Sequence, residues 1–142
     1  MIDTSPISRW WRRLRQPESL DRRGERAAAR FLRRRGYKIV ARRYRIGRGD
    51  LDIVAVDGRT VVFVEVKTRQ SDLAGHPSEA VDAEKQRRLT RLALVYLKRN
   101  GLLECAARFD VVAVVWPPGA RRPRIEHEKN AFEPVGRGQL FS

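Results

Sequence analysis

Three carboxylates and one lysine lie close together in a stretch rich in β-branched residues: Asp50, Asp52, Glu65 and Lys67. Residues 61–66 are apolar at every position except Glu65, which is typical of a strand covered on both faces. Acids clustered on such a strand repel each other and stay ionised only beside a counter-charge, for which a divalent cation is the usual solution. The residue types therefore predict a metal site, although they also fit a solvated sheet face.

The register of a β-hairpin determines whether these four side chains meet. The dipeptide Asp57-Gly58 favours a tight primed turn between two strands within residues 49–69. A two-residue loop at that dipeptide predicts three facing pairs: Val56 with Arg59, Asp52 with Phe63, and Asp50 with Glu65. Because side chains alternate between faces with a period of two, all four charged side chains are predicted to project from one face.

The elements around the hairpin are predicted in the order α-β-β-β-α-β, followed by a short strand. They are a helix over 21–35 with Asp21 as its N-cap, a strand over 37–44, the hairpin, a loop over 68–81, a helix over 83–99 with Asp82 as its N-cap, a strand over 108–116 and an edge strand over 124–128, with residues 130–132 closing the fold. His127 is predicted to be structural or exposed. This order predicts an α/β fold in which helices flank a mixed β-sheet.

Length and composition fit a single domain over residues 20–135 of the 142 residues. Residues 1–19 are predicted to form a basic, poorly ordered tail with at most one short helix, and residues 136–142 a loose C-terminal tail. One cysteine and two histidines provide neither an internal disulfide nor a zinc-binding set. Without a signal-peptide pattern or a long apolar run, a cytoplasmic protein with no transmembrane segment is expected.

Positive charge is concentrated in the first third of the chain. Residues 1–48 contain 16 basic and 4 acidic residues, a net charge of +12 out of the overall +14. Such a segment would steer a polyanion towards the acids that follow, so nucleic acid is the predicted partner, DNA in preference to RNA. An acidic protein and an anionic membrane are the alternatives. Trp10 and Trp11, set among arginines, could stack on unpaired bases, lie at a membrane surface or dock on the domain.

Asp52 together with Glu65-Val66-Lys67 resembles the PD-(D/E)XK nuclease signature. Over residues 21–133 the chain resembles the YraN family of predicted endonucleases, which is distantly similar to archaeal Holliday junction resolvases. The matching segments are Gly24-Glu25 with Ala28, Gly36-Tyr37, Gly49-Asp50-Leu51-Asp52, Phe63 to Arg69, Lys85 to Leu89, Arg108 to Val111, and Asn130-Ala131-Phe132. One position departs from the family, which usually has Glu where this chain has Asp50.

The resemblance implies a restriction-endonuclease-like core and a metal-dependent endonuclease that hydrolyses DNA phosphodiester bonds, with branched or otherwise structured DNA as a candidate substrate. It implies Mg²⁺ or Mn²⁺ as the cofactor, held by Asp52, Glu65 and the Val66 carbonyl, with Lys67 as the third catalytic residue. Three further residues are secondary catalytic candidates: Glu25, Asp50 and Lys85. Helical spacing puts Glu25 on the inward edge of the first helix, where pairing with a neighbouring arginine is its alternative role.

Basic residues on both sides of these acids are predicted to contact nucleic acid: Arg22, Arg26, Arg30, Arg48, Arg69, Lys85 and Arg88. Lys85 lies in the first turn of the second predicted helix, where a helix amino terminus already favours an anion. The alternative function is a non-catalytic nucleic-acid-binding adaptor that retains the nuclease fold. Because similar junction-cutting nucleases act as dimers, a homodimer is a further expectation.

Overall fold

A five-stranded mixed sheet forms the centre of the computed structural model, which describes residues 5–15, 18–71 and 81–135. In chain order the elements are α1 (Pro6–Arg15), α2 (Leu20–Arg34), β1 (Lys38–Ile46), β2 (Gly49–Asp57), β3 (Thr60–Arg69), α3 (Ala83–Arg99), β4 (Ala107–Val115) and β5 (Arg124–Phe132). The strand order is β1-β2-β3-β4-β5, with β3 and β4 parallel and the other neighbours antiparallel. The architecture confirms the predicted α/β class and is consistent with a restriction-endonuclease-like core.

Different helices cover the two faces of the sheet. Leu32 of α2 packs in one core cluster with Val62, whereas Leu97 of α3 packs in the other with Phe63. Because Val62 and Phe63 are consecutive residues of β3, this strand contributes to both clusters. The interpretation of residues 61–66 as a strand covered on both faces is therefore confirmed.

The hairpin turn lies one residue later than the sequence predicts. Asp57 pairs with Thr60, so Gly58 and Arg59 form the loop, and Gly58 takes the positive φ of 61° that the first central position of a type II′ turn requires. The predicted pairs are therefore wrong by two positions: Val56 faces Val61, Val54 faces Phe63, and the same register brings Asp52 to the level of Glu65. Within the paired residues 53–57 and 60–64, a shift of two residues keeps each side chain on its predicted face, since the alternation also has a period of two.

Helix ends follow local capping chemistry. The N-cap of α2 is Ser19, whose hydroxyl accepts a hydrogen bond from the Arg22 amide, so the prediction of Asp21 as the cap is wrong. Asp21 instead lies in the first turn, where its charge is favourable beside the helix amino terminus. Asp82 caps α3 as predicted, accepting from the Lys85 amide at 2.8 Å.

Several predicted boundaries are shifted. Strand β3 continues to Arg69, so the predicted loop over 68–81 begins later, and its residues 72–80 lie outside the described part of the chain. Strand β5 continues to Phe132 through an irregularity at Asn130, whose φ is 51°, so the edge strand is longer than the predicted 124–128. Helix α1 is the one short helix that the prediction allowed in the tail. Within the described residues, no helix has both the length and the apolar character needed to cross a membrane.

Close packing of α2 against β3 positions the end of that strand. Gly24 lies so near Thr68 that a methyl group at Gly24 would overlap the Thr68 hydroxyl. A side chain there would push the helix away from the sheet or displace the strand. Glycine thus allows α2 to approach the strand directly beside Lys67.

Candidate active site

Strands β2 and β3 separate where the predicted acids lie. Their backbone pairing runs from Asp57 with Thr60 to Ile53 with Val64, and β3 then continues beside β4 as far as Arg69. At the point of separation the Asp52 carboxylate accepts a hydrogen bond from the Val66 amide, with Oδ2 2.9 Å from the nitrogen. A side chain therefore satisfies the main-chain donor that the neighbouring strand would otherwise pair, and a carboxylate is fixed at the fork.

The alternation of β2 is broken at the same point. Leu51 packs in the α3-side cluster and Ile53 in the α2-side cluster, although residues two apart in a regular strand share a face. On β1, Ala41 and Tyr44 both pack against the α3-side cluster, although residues three apart in a regular strand lie on opposite faces. Arg43, whose φ is 51°, lies between them. The two irregularities face each other across β1 and β2, at the space beside Asp52.

A cleft of about 220 Å³, here called the hairpin cleft, occupies that space. Its lining combines three carboxylates with three basic side chains, together with Gly49 and Leu89: Asp50, Asp52, Glu65, Arg48, Lys85 and Arg88. The structure thus brings Asp50, Asp52 and Glu65 to one cleft, as the shared-face prediction requires. Lys85 and Arg88 reach it from the first turns of α3.

Glu65 is the most buried acid of the cleft, with 7% of its surface exposed. The Lys85 ammonium forms an ion pair with Glu65 Oε1, and the Lys67 Nζ lies 3.6 Å from the same oxygen. Two elements, β3 and α3, therefore direct positive charge at one carboxylate oxygen. Gln86, the neighbour of Lys85, turns away, since its side-chain amide donates to the Val81 carbonyl at 3.0 Å.

The carboxylates of Asp52 and Glu65 repel each other. Burial, together with repulsion from Glu65, raises the pKa of Asp52 to about 7, against the lowering effect of the Val66 amide. An acid with a pKa near 7 in a cleft is a frequent property of functional sites. A cation bound between the two carboxylates would offset this repulsion and favour the charged form of Asp52.

The two lysines differ in how firmly they hold their protons. Burial and the neighbouring Lys85 lower the pKa of Lys67. Burial also opposes charge on Lys85, but attraction by the Glu65 carboxylate outweighs it and raises the pKa of Lys85. Lys85 is thus a fixed cation, whereas Lys67 is the lysine of the pair that loses its proton more readily.

The donor set fits Mg²⁺ or Mn²⁺ better than a softer metal, because the cleft offers carboxylate oxygens. Among the described residues, no group of three or more histidine, cysteine, aspartate or glutamate side chains is arranged to hold a metal ion. Asp52 and Glu65, which meet at the strand fork and line the cleft, are the two carboxylates that could hold such an ion. Mg²⁺ commonly binds in this way, since it keeps several waters and takes one or two carboxylates together with substrate phosphate oxygens.

The secondary candidates lie at different distances from this pair. Glu25 of α2 faces Arg43, with its Oε2 3.5 Å from the guanidinium Nε, which is an ion pair too long for a good hydrogen bond. Burial raises the pKa of Glu25, and Glu25 in turn contributes to the raised pKa of Asp52. The predicted alternative, pairing with an arginine, is therefore observed, while Glu25 remains close enough to influence the cleft. Asp50 is exposed and faces Arg45 on β1.

The predicted nucleic-acid-binding residues fall into two groups. Arg48, Lys85 and Arg88 line the hairpin cleft. The arginines of α2 belong to the helix on the opposite face of the sheet: Arg22 and Arg26 are exposed, Arg26 pairs with Glu18, and Arg30 lines a separate groove. Arg69 ends β3, where its carbonyl accepts a hydrogen bond from the Trp116 amide at 2.7 Å.

A buried polar network that sequence reasoning missed lies beside the site. Asp110 is fully buried on β4, next to Val64, and accepts hydrogen bonds from Arg108 Nε and the Asn130 amide, both at 3.0 Å. His127 Nε2 lies 2.8 Å from its second oxygen, so the structural role predicted for His127 is confirmed. Although burial opposes ionisation, these hydrogen bonds together lower the pKa of Asp110.

A mixed sheet that forks at a buried carboxylate pair is consistent with the restriction-endonuclease-like class of α/β proteins. The family model described as "Uncharacterised protein family UPF0102" matches residues 24–114. The chain belongs to this family, and the resemblance to the YraN family, which is the same family, is confirmed.

Several UPF0102 proteins share about half of the aligned residues with this chain. A UPF0102 protein of Rhodopirellula baltica is 50% identical over 120 residues, covering 82% of this chain and 72% of that protein. One of Geobacter sulfurreducens is 51% identical over 112 residues, covering 78% and 86%. One of Symbiobacterium thermophilum is 51% identical over 109 residues, covering 77% and 92%. These relatives extend the family assignment beyond the region matched by the family model.

Proposed function

We propose that this protein is a metal-dependent endonuclease that hydrolyses DNA phosphodiester bonds, with branched or otherwise structured DNA as its substrate. The observation that supports the proposal is the electrostatics of one cleft, where Asp52 and Glu65 repel each other while two lysines face Glu65. Two carboxylates can hold a divalent ion and a lysine can stabilise developing negative charge, and both contributions assist phosphodiester hydrolysis.

Asp52, Glu65 and the Val66 carbonyl would hold one Mg²⁺ or Mn²⁺. When bound, such an ion supplies positive charge that polarises a phosphate oxygen and lowers the pKa of water. Replacement of the Asp52 proton by the ion would also relieve the repulsion between the two carboxylates.

The chain's own residues have separable tasks in this proposal. Lys85, whose charge is fixed, would neutralise charge that develops on the phosphate, and Arg48 and Arg88 would position the neighbouring phosphates. Lys67, with its lowered pKa, is suited to orient the attacking water and to exchange a proton with it. Asp50 and Glu25 would adjust the charge around Asp52.

Nicking of labelled DNA tests the proposal. The wild-type protein is incubated with a four-way junction, a flap, a linear duplex and a matched RNA in Mn²⁺, beside the variants Asp52→Asn, Glu65→Gln and Lys67→Met. We expect each variant to lower the rate about 100-fold or more. Glu104→Gln, which removes one exposed acid far along the chain from the cleft, is the matched control and should retain the wild-type rate.

The proposal fails if the wild-type protein binds these substrates in Mn²⁺ but never cuts them, while Asp52→Asn and Glu65→Gln leave Mn²⁺ affinity unchanged. That result would favour the non-catalytic adaptor. One observation is in keeping with an adaptor: Glu65 is already paired with Lys85. Its distinguishing behaviour would be DNA binding that survives EDTA, falls with salt and is unaffected by Glu65→Gln.

A further inference from the structure

A second concave surface lies on the α2 face of the sheet, between α2 and the segment that joins β4 to β5. This cavity of about 450 Å³, here called the arginine groove, has four arginines in its lining: Arg30, Arg34, Arg121 and Arg122. Its remaining surface is apolar, with Phe31, Trp116 and Ile125 as the largest side chains. No acidic residue is among those that line it, so the groove has a strongly positive potential.

The arginines of the groove have no acidic partner among the residues that the structure describes. In the part of the chain that the structure describes, no carboxylate lies within ion-pair distance of any of the four arginines, whereas Arg26 on the same helix pairs with Glu18. Four guanidinium groups that surround one cavity repel each other at low salt. A ligand that carries several negative charges would remove this repulsion.

Trp116 gives the groove a fixed flat surface. Its indole nitrogen donates to the Ala120 carbonyl at 2.9 Å, and the Arg23 guanidinium lies 4.1 Å from the centre of its ring. Its backbone amide is bonded to Arg69 at the end of β3. Arg23 thus covers one face of the indole, and the half-buried side chain contributes its remaining exposed surface to the groove beside Phe31 and Ile125.

We propose that the arginine groove binds a single-stranded segment of nucleic acid, with its phosphates on the arginines and its bases against the aromatic and apolar floor. Alternating negative charge and flat apolar rings are the features that distinguish such a strand from an acidic peptide, and single-strand binding sites combine these two kinds of contact. The proposal rests on the proposed function in one respect: the strand bound here would be continuous with the one in the hairpin cleft.

The position of the groove relative to the cleft supports this continuity. Glu65 of the cleft and Arg69 beside Trp116 are four residues apart on β3, about 13 Å along the strand. The cleft and the groove therefore lie on opposite faces but at the same end of β3. A strand that leaves the cleft would pass over this end of the sheet and enter the groove within a few nucleotides.

Binding of a labelled oligothymidylate in EDTA tests the groove without requiring cleavage. The double variant Arg121→Ser with Arg122→Ser should weaken binding about tenfold. It should also lower the number of counterions released on binding by about two, measured from the dependence of affinity on salt concentration. The control, Arg59→Ser with Arg99→Ser, removes two exposed arginines elsewhere and should change affinity less than about twofold. Equal affinity of both double variants would overturn the proposal.

Tryptophan fluorescence tests binding in a protein that keeps every residue of the groove lining. In the variant Trp10→Phe with Trp11→Phe, Trp116 is the only tryptophan, and oligothymidylate should quench it and poly-glutamate should not. Absence of quenching at saturating oligonucleotide, or equal quenching by poly-glutamate, would contradict a nucleic-acid site. Loss of nicking with intact quenching would instead refute only the proposed nuclease, so the two failures are distinguishable.

Discussion

Two regions of buried acid lie on neighbouring strands and differ in how their charge is satisfied. On β4, Asp110 receives hydrogen bonds from Arg108, His127 and the Asn130 amide, and its pKa is lowered. At the fork of β2 and β3, Asp52 receives one amide hydrogen bond and faces Glu65, and its pKa is raised to about 7. The first acid contributes stability in its charged form, whereas the second costs stability in that form.

This difference indicates what each region is for. A buried carboxylate surrounded by donors fastens β5 to β4 and needs nothing further. A carboxylate pair that repels itself beside an open cleft is a cost that a purely structural region would avoid. The hairpin cleft is therefore the region whose charge a bound cation would balance, and removal of a carboxylate charge should change stability with opposite signs in the two regions.

Removal of charge from the network should have the largest effect. We expect Asp110→Asn to lower the free energy of unfolding by about 3 to 5 kcal/mol, because Arg108 would lose its buried partner. Urea denaturation at pH 7 measures this loss. Asp57→Asn, which removes the outer partner of Arg108 at 3.0 Å, should cost clearly less because Asp57 is partly exposed. A loss below about 1 kcal/mol for Asp110→Asn would break the contrast between the two regions.

A divalent ion should stabilise the cleft and leave the network unaffected. At a free Mn²⁺ concentration about 100 times the dissociation constant, binding to the native state alone adds about 2.7 kcal/mol. The melting temperature of the wild-type protein should rise accordingly, and that of Glu65→Gln should not. An equal rise in Glu65→Gln would place the ion elsewhere.

Removal of charge from the cleft should stabilise the protein. In EDTA at pH 8 we expect Asp52→Asn to increase the free energy of unfolding by roughly 2 kcal/mol, because it relieves the repulsion from Glu65. The Val66 amide keeps an acceptor in the asparagine side-chain oxygen. If urea denaturation shows that Asp52→Asn is less stable than the wild-type protein, the Asp52 charge is stabilised by its surroundings and the prediction is wrong.

Asp52 and Asp110 should make stability depend on pH in opposite directions. Between its unfolded pKa near 3.8 and its folded pKa of about 7, Asp52 holds its proton in the native state but loses it on unfolding. In EDTA its contribution therefore falls, by about 1 to 2 kcal/mol, as pH rises from 5 to 7. Asp110 acts oppositely, since its contribution is lost as pH falls below about 4. Asp52→Asn should flatten the first trend and leave the second.

The face of Glu65 was predictable because it depends on parity along β3, whereas the broken alternation of β2 means that parity alone does not place Asp50 and Asp52. Moving the turn from Asp57-Gly58 to Gly58-Arg59 changes each facing pair by two residues, which keeps the faces of the residues between the turn and the fork. The register itself was not predictable, because Gly58 suits either central position of a tight turn. The broken alternation at Asp52 lies across from the positive φ of Arg43 on β1, and no local pattern of β2 predicts it.

The Asp110 network and the arginine groove required the tertiary structure. Arg108 contacts Tyr37 and Asp57, residues 71 and 51 positions away, and their spacing contains no periodic signal. Arg30 was predicted to bind nucleic acid from its place on a basic helix, yet its neighbours Arg121 and Arg122 come from the far end of the chain. Local patterns thus predict elements and faces, while partners between distant segments follow from packing.

Anomalous diffraction from a crystal soaked in Mn²⁺ tests the central claim most directly. We expect one manganese peak in the hairpin cleft, with an oxygen of Asp52 and an oxygen of Glu65 each at about 2.0 to 2.5 Å, the range for hard divalent ions. A crystal in which saturating Mn²⁺ leaves this cleft without a peak, with Lys85 still paired to Glu65, would contradict it.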